Sequence, residues 1–419
     1  MNTPLSPSDL TVSGSLTDTG EPPVRLYAPE FAADPHRVYQ ALRSKYGSMA
    51  PVELAPGVPA TLVLGYRTAL QILNDPDRFP ADPRMWQRDI PSDCPIRPML
   101  EWRPVASRST GLDFLRYRPP TTDSIQAVDL YAFHDTVEAI ALPLIDGFCR
   151  DGSAELIRQY VFPLVFQVTN SLLGCSPEIG HNLAAAVASI VEGVGAAAEA
   201  GNKLLSATLA QLVTLKQEHP HDDITSMLLQ HPAGLTAEEV AQHVAQIFGT
   251  GIEFLLNLIV NTLLLILTDE RFGGSVVGGA LSTRDALDEL LFNDPPLANL
   301  LITYPRHPIL IDQVWLPAHQ PVVISMAACN TDPATRGGDL SGNRSHLAWG
   351  AGQHACPAQS LAYLIAQDAI DQLLDALPDV RLDPAAGAPT WRPGPFHRAL
   401  TALPVVFPPT DPLAVGFER

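Results

Sequence analysis

The stretch His346–Ala366 reads HLAWGAGQHACPAQSLAYLIA. Gly350 and Gly352 allow backbone angles that other residues resist, so the chain here can pass close to a flat ligand. Cys356 stands at the entrance of a helix that starts near Gln359 and that the apolar spacing predicts clearly over Leu361–Leu377. The positive end of that helix dipole favours a thiolate. Neighbouring backbone N–H groups can donate to the sulfur and tune it. His354, two residues earlier, is placed to reach an anionic group. On this loop alone, Cys356 reads equally as an ordinary buried cysteine beside a Gly-rich turn. The rest of the chain decides between the two.

The 419 residues are 46% hydrophobic and 17% charged, which supports a large core and is unlike a disordered chain. A net charge of −19 argues against a nucleic-acid partner, because phosphate would be repelled. A local basic patch that docks an acidic redox partner is compatible with it. Residues 1–22 carry no charged-then-apolar signal pattern and are expected to be a flexible tail, with one large domain over 23–419. No run reaches the ~18 uninterrupted apolar residues of a membrane span. The longest, Ile252–Leu267, is interrupted by Glu253, Asn257 and Asn261. It is expected to be a buried helix of a protein that does not enter a membrane. Five cysteines without short pairings argue against a disulfide framework or a zinc site, and point to the cytoplasm.

Helical periodicity dominates the chain. It predicts helices over Pro35–Tyr46 and Thr68–Leu73, then over about 125–149, 155–173, 178–218 and 236–268. A further helix over Asp285–Phe292 is stopped by Pro295 and Pro296. Val52–Val63, Ile309–Ile324 and Leu403–Phe407 carry turn and strand character. Residues 80–120 are rich in Pro and Arg and lack periodicity, as expected of a pocket lid. The expected fold class is mainly α with a small β part.

The segment Trp349-Gly350-x-Gly352-x-His354-x-Cys356 resembles the haem-binding loop of the cytochrome P-450 family, Phe-Gly-x-Gly-x-His-x-Cys-x-Gly. It departs at Trp349, an aromatic replacement, and at Ala358, where the family usually has Gly. The resemblance runs through almost all of the chain after the tail. Gly249–Leu267 matches the long helix over the haem, and Asp222-Asp223-Ile224-Thr225-Ser226 fits the run into it. His397-Arg398-Ala399-Leu400 with Leu403-Pro404-Val405 resembles the closing strands.

The resemblance implies a single-domain fold around haem b (iron protoporphyrin IX), with Cys356 as the axial thiolate and Trp349, Gly350 and Gly352 against the ring. It implies Arg118 and His354 as propionate partners. The usual His four residues before Arg118 is Phe114, and Thr303 lies near the third usual cation, with Arg306 and His307 slightly later. It further implies a monooxygenase that inserts one oxygen atom from O2 into a hydrophobic small molecule. Electrons would come through ferredoxin reductase and ferredoxin, since the chain shows no flavin or nucleotide motif. Phe248, Thr250, Glu253, Phe254 and Leu300–Ile302 are the expected pocket, together with the 80–110 loop.

Two departures bear on activity. The family's acid–alcohol pair over the iron becomes Glu253-Phe254, so the proton-relaying Thr is absent. Glu253 then reads as a catalytic acid or as a helix carboxylate paired with a surface cation. Thr250, one turn earlier, substitutes for the alcohol only if its hydroxyl faces the iron. The family's Glu-x-x-Arg pair becomes Glu289-Leu290-Leu291-Phe292, as in a soluble bacterial subset that lacks this Arg. Glu289 is therefore expected to be solvated or re-paired, and Phe292 to pack on apolar neighbours. The second functional reading is a degenerate haem-thiolate protein: peroxide-dependent, rearranging, or a non-catalytic haem-binding partner.

Overall fold

The computed structural model describes residues 22–413 except 92, 193–195, 274–280 and 336–342. The expected tail, apart from Pro22, lies outside the described residues. The long helix Ala237–Thr268 runs through the largest hydrophobic cluster. Its start is fixed by a capping box: Thr236 accepts from the Glu239 amide and Glu239 reaches back to the Thr236 amide. From Phe254 to Leu263 nearly every residue is buried, which makes the second half hydrophobic all round, as in a core helix. By length and composition this helix is long and apolar enough to cross a membrane, but 56% of its most apolar window is packed inside the fold.

Around it lie Phe162–Leu173, Thr283–Asn293 and Gln359–Ala376, with Leu130–Asp146 packed on the last. Asp223 explains the run before the long helix. It caps Ile224–Gln230 through the Ser226 amide and holds the buried Lys216 ammonium at 2.5 Å.

A five-stranded sheet lies beside the helices, in the order Val24–Arg25, Met49–Ala55, Val58–Val63, Val322–Ile324, Leu301–Thr303. Its edge strand pairs Leu301 with Ile324 antiparallel and leads towards the cysteine loop. Ser153–Glu155, Pro404–Val406 and Arg381–Leu382 form a second, antiparallel sheet. Ile309–Ile311 and Val314–Leu316 form a hairpin whose two turn residues, Asp312 and Gln313, have φ of 46° and 64°. That is the twist a two-residue hairpin needs.

The structure corrects three expectations. The predicted helix over 178–218 is two helices, Pro177–Glu192 and Ala196–Glu218, packed on each other. Small residues carry the contact: a Cβ on Gly201 would sit 2.9 Å from the Ala186 carbonyl. The Ala-rich pattern hid the break because apolar spacing continues through it. The irregular 80–120 stretch ends early, since helix Gly111–Gln126 starts inside it. That helix continues through Pro119 and Pro120, which local preference disfavours. Tertiary anchoring overrides the penalty, with Arg116 and Tyr117 both bonded to Glu239 on the long helix. The predicted helix over 125–149 accordingly becomes Leu130–Asp146, capped by Asp129.

Candidate active site

Of the five cysteines only Cys356 is exposed. Its loop is set by backbone geometry. Gly350 and Gly352 take φ of 71° and 67°. A Cβ on Gly352 would lie 2.5 Å from the Leu73 carbonyl, so position 352 requires glycine for space as well as for angle. The Cys356 amide donates to the Trp349 carbonyl at 2.7 Å, and Gly350 N–H to the Leu347 carbonyl at 2.8 Å. The sulfur is open on one side, while the protein around it pushes the thiol pKa up. The Ala358 amide and the Arg118 charge pull it down again. Helix Gln359–Ala376 starts directly after, with no side chain capping it, which leaves its first N–H groups near the sulfur.

Helix Gly111–Gln126 packs on this loop through two of the predicted residues. The Phe114 and His354 rings are 4.6 Å apart, and Arg118 Nη2 donates to the Ala355 carbonyl at 2.6 Å. Among the described residues Arg118 has no carboxylate partner, and burial lowers its pKa. Burial, then Arg118, push the His354 pKa down to about 4. His354 is therefore neutral at pH 7 and serves an anion as an N–H donor, leaving Arg118 as the cation. Thr303, near the expected third position, has its hydroxyl buried without a partner. Arg306 and His307 are both exposed, and Arg306 bonds the Asp77 carbonyl.

The long helix presents an open stretch at Gly249–Gly251. A Cβ on either glycine would meet nothing within 4 Å, and Thr250 between them is exposed. Thr250 lies one turn before Phe254 on the same helix face. Phe254 is buried, with its ring 4.8 Å from that of Trp349. The two aromatic departures from the family loop and helix thus touch each other. Glu253 is tied to Arg392 at 2.7 Å and to Asn257 Nδ2 at 3.0 Å, so the surface ion-pair reading is the one this geometry contains. Phe248 packs in the core against Phe166, with centroids 6.0 Å apart. Leu300 and Ile302 pack on the cluster that holds Trp86, Leu100 and Tyr304, whereas Leu301 between them approaches Gly350.

Behind the loop, Glu289 is re-paired with Arg271 at 2.6 Å near the surface. Phe292 packs edge-on against His346 at 6.4 Å. The sequence reading missed the buried carboxylate next door. Asp288 accepts from the Tyr363 hydroxyl and from Arg344 Nε at 3.0 Å, with Arg284 Nε 3.6 Å away. Asn330 was missed as well: it accepts from the Leu347 amide at 2.7 Å and donates to the Leu291 carbonyl at 3.2 Å. The available signal was Arg284 four residues before Asp288, a helical ion-pair spacing.

The donor set fits a haem: one open thiol with an N–H donor, a half-buried guanidinium lacking a carboxylate, and an orphaned buried hydroxyl. Fold and site together are those a haem-thiolate protein would present. No protein-family model matches the chain. It is 27% identical over 402 residues to the cytochrome P450 monooxygenase PikC of Streptomyces venezuelae, covering 92% of this chain and 95% of that protein. It is also 27% identical to the vitamin D(3) 25-hydroxylase of Pseudonocardia autotrophica, covering 94% and 99%. Among solved structures, CYP154C4 from Streptomyces superposes with a TM-score of 0.82 at 25% identity, covering 92% and 98%. The tirandamycin C-bound P450 monooxygenase TamI superposes with a TM-score of 0.79 at 26% identity, covering 92% and 100%. Over about nine-tenths of its length the chain is thus similar to bacterial cytochrome P450 monooxygenases and hydroxylases, and its fold is theirs.

Proposed function

We propose that residues 23–419 form one haem domain that inserts a single oxygen atom from O2 into a hydrophobic small molecule in the cytoplasm. Electrons come from NAD(P)H through a ferredoxin reductase and a ferredoxin. The observation that carries this reading is the exposed Cys356 beside Arg118, on a loop whose Trp349 packs against Phe254 of the long helix. Cys356 supplies the thiolate, Arg118 and His354 the propionate contacts, and Trp349, Gly350 and Gly352 the surface against the ring. The bound haem-thiolate supplies O–O cleavage and oxygen transfer. Of the residues expected at the pocket, Phe254, with Leu301, supplies apolar surface beside the cysteine loop, while Phe248, Leu300 and Ile302 back it from the core, and Thr250 supplies the hydroxyl nearest the open stretch. The test is turnover with surrogate ferredoxin and reductase. Oxygenated product formed at the expense of NAD(P)H supports the reading, and turnover with peroxide alone overturns the electron route.

One observation favours a second reading. Phe254 packs against Trp349 where the family has an alcohol, and Glu253 is held by Arg392. Neither side chain is arranged to pass a proton to the open stretch. A haem-thiolate protein that uses peroxide, rearranges its substrate or serves another oxidase needs no such relay. Binding of haem with no product from any oxidant selects the last of these.

A further inference from the structure

We propose that Asp288 is the positioning residue of the Cys356 loop, acting through Tyr363 and Arg344. This rests on Cys356 being the haem ligand. One buried carboxylate on helix Thr283–Asn293 is bonded on both sides of the loop. Arg344 lies two residues before the loop begins at His346, and its Nε is 3.0 Å from Asp288. Tyr363 lies seven residues after Cys356, on the helix that the loop opens into, and its hydroxyl donates to the other Asp288 oxygen. Arg284 covers the Tyr363 ring at 3.6 Å and approaches the same oxygen. The Tyr363 ring is 5.6 Å from that of Trp349, whose carbonyl receives the Cys356 amide. The path from Asp288 to the sulfur is therefore continuous.

The two arms differ. Arg344 is 55% exposed, so solvent screens its pairing. Tyr363 is buried, and burial followed by Asp288 raises its pKa, which keeps the hydroxyl protonated and donating. Tyr363 is thus the stronger arm. Glu289, the neighbouring carboxylate, is turned to Arg271 and does not reach the loop.

The experiment compares Tyr363→Phe, Asp288→Asn, Asp288→Glu and Glu289→Gln with the wild-type holoprotein. It reads the share of thiolate-type reduced carbon-monoxide band. It also reads hydrogen exchange of the Gly350 and Cys356 amides in the haem-free protein, relative to the Val52 and Leu54 amides of strand Met49–Ala55, whose side chains lie in a separate hydrophobic cluster. Losing a hydrogen bond to a charged group speeds loop exchange about tenfold in Tyr363→Phe and Asp288→Asn. The thiolate band gives way to the thiol-type band in both, Asp288→Glu recovers part of it, and Glu289→Gln behaves as wild type. Arg344→Gln, truncating the exposed arm, gives a smaller shift in the same direction and covers failure of the buried variants to fold. Loop exchange and band both unchanged in Tyr363→Phe, or an effect of Glu289→Gln as large as that of Asp288→Asn, overturns the proposal. A wild-type protein without the thiolate band overturns the ligand assignment instead, and the exchange ratio still judges Asp288.

Discussion

The two sides of the Cys356 site have diverged in different ways. On the loop side, geometry is kept while its supports are exchanged: Gly350 and Gly352 hold the turn, and Asp288 and Asn330 hold its flanks. On the helix side, the alcohol is lost to Phe254, and its ring is used for packing against Trp349. A loop that presents a ligand tolerates new anchors, because any buried contact of the right shape will hold it. A proton relay does not, because it needs an exchangeable proton at a particular point. Under the proposed function, ligand binding is therefore the property this arrangement protects and oxygen activation the one it leaves fragile.

The comparison can be broken most severely on the loop side. Arg118→Gln removes a charge beside the sulfur that has no carboxylate partner among the described residues. It is expected to weaken haem retention by about 10- to 100-fold, from the loss of charge-assisted hydrogen bonds. Transfer of haem to apomyoglobin measures it, and unchanged retention would remove Arg118 from the site.

Asp288→Asn is expected to destabilise the protein by about 1–3 kcal/mol, because Tyr363 and Arg344 lose a charged acceptor. Urea unfolding reads this directly. On the helix side, Phe254→Thr is expected to raise the fraction of NAD(P)H ending in product, at a stability cost of about 1–3 kcal/mol from lost burial and ring contact. Unchanged coupling would show that the missing alcohol is not the limitation. Arg392→Gln breaks a half-exposed pair and is expected to cost less than about 1 kcal/mol.

The smallest effect is a pH dependence. Burial pushes His346 and His354 both down to about 4, so the unfolded chain binds more protons below its usual His pKa. Their contribution to stability is full above about 6.5 and is lost as pH falls towards 4. His346 packs on Phe292 with both ring nitrogens unpartnered, so His346→Phe is expected to flatten the melting temperature over that window.

Much of this was legible in sequence. The long helix announced itself through a sustained apolar pattern. The cysteine loop announced itself through the spacing of Gly350, Gly352, His354 and Cys356. Phe254 and Phe292 were readable as losses. What replaced them was not, because replacement is a matter of tertiary contact. Nothing local distinguishes Asp288 from Glu289, yet a step of one residue along the helix buries the first and leaves the second only partly covered. The Arg392–Glu253 pair joins residues far apart in the chain, which no periodicity encodes. The break between Pro177–Glu192 and Ala196–Glu218 was hidden because alanine supports helix on every face.

The central claim is that Cys356 is an axial thiolate. The reduced carbon-monoxide difference spectrum of the purified holoprotein, beside that of Cys356→Ser, tests it most directly. The account predicts the thiolate-type band in the wild type and its complete loss in the variant. No such band in the wild type, or the same spectrum from both proteins, would contradict it.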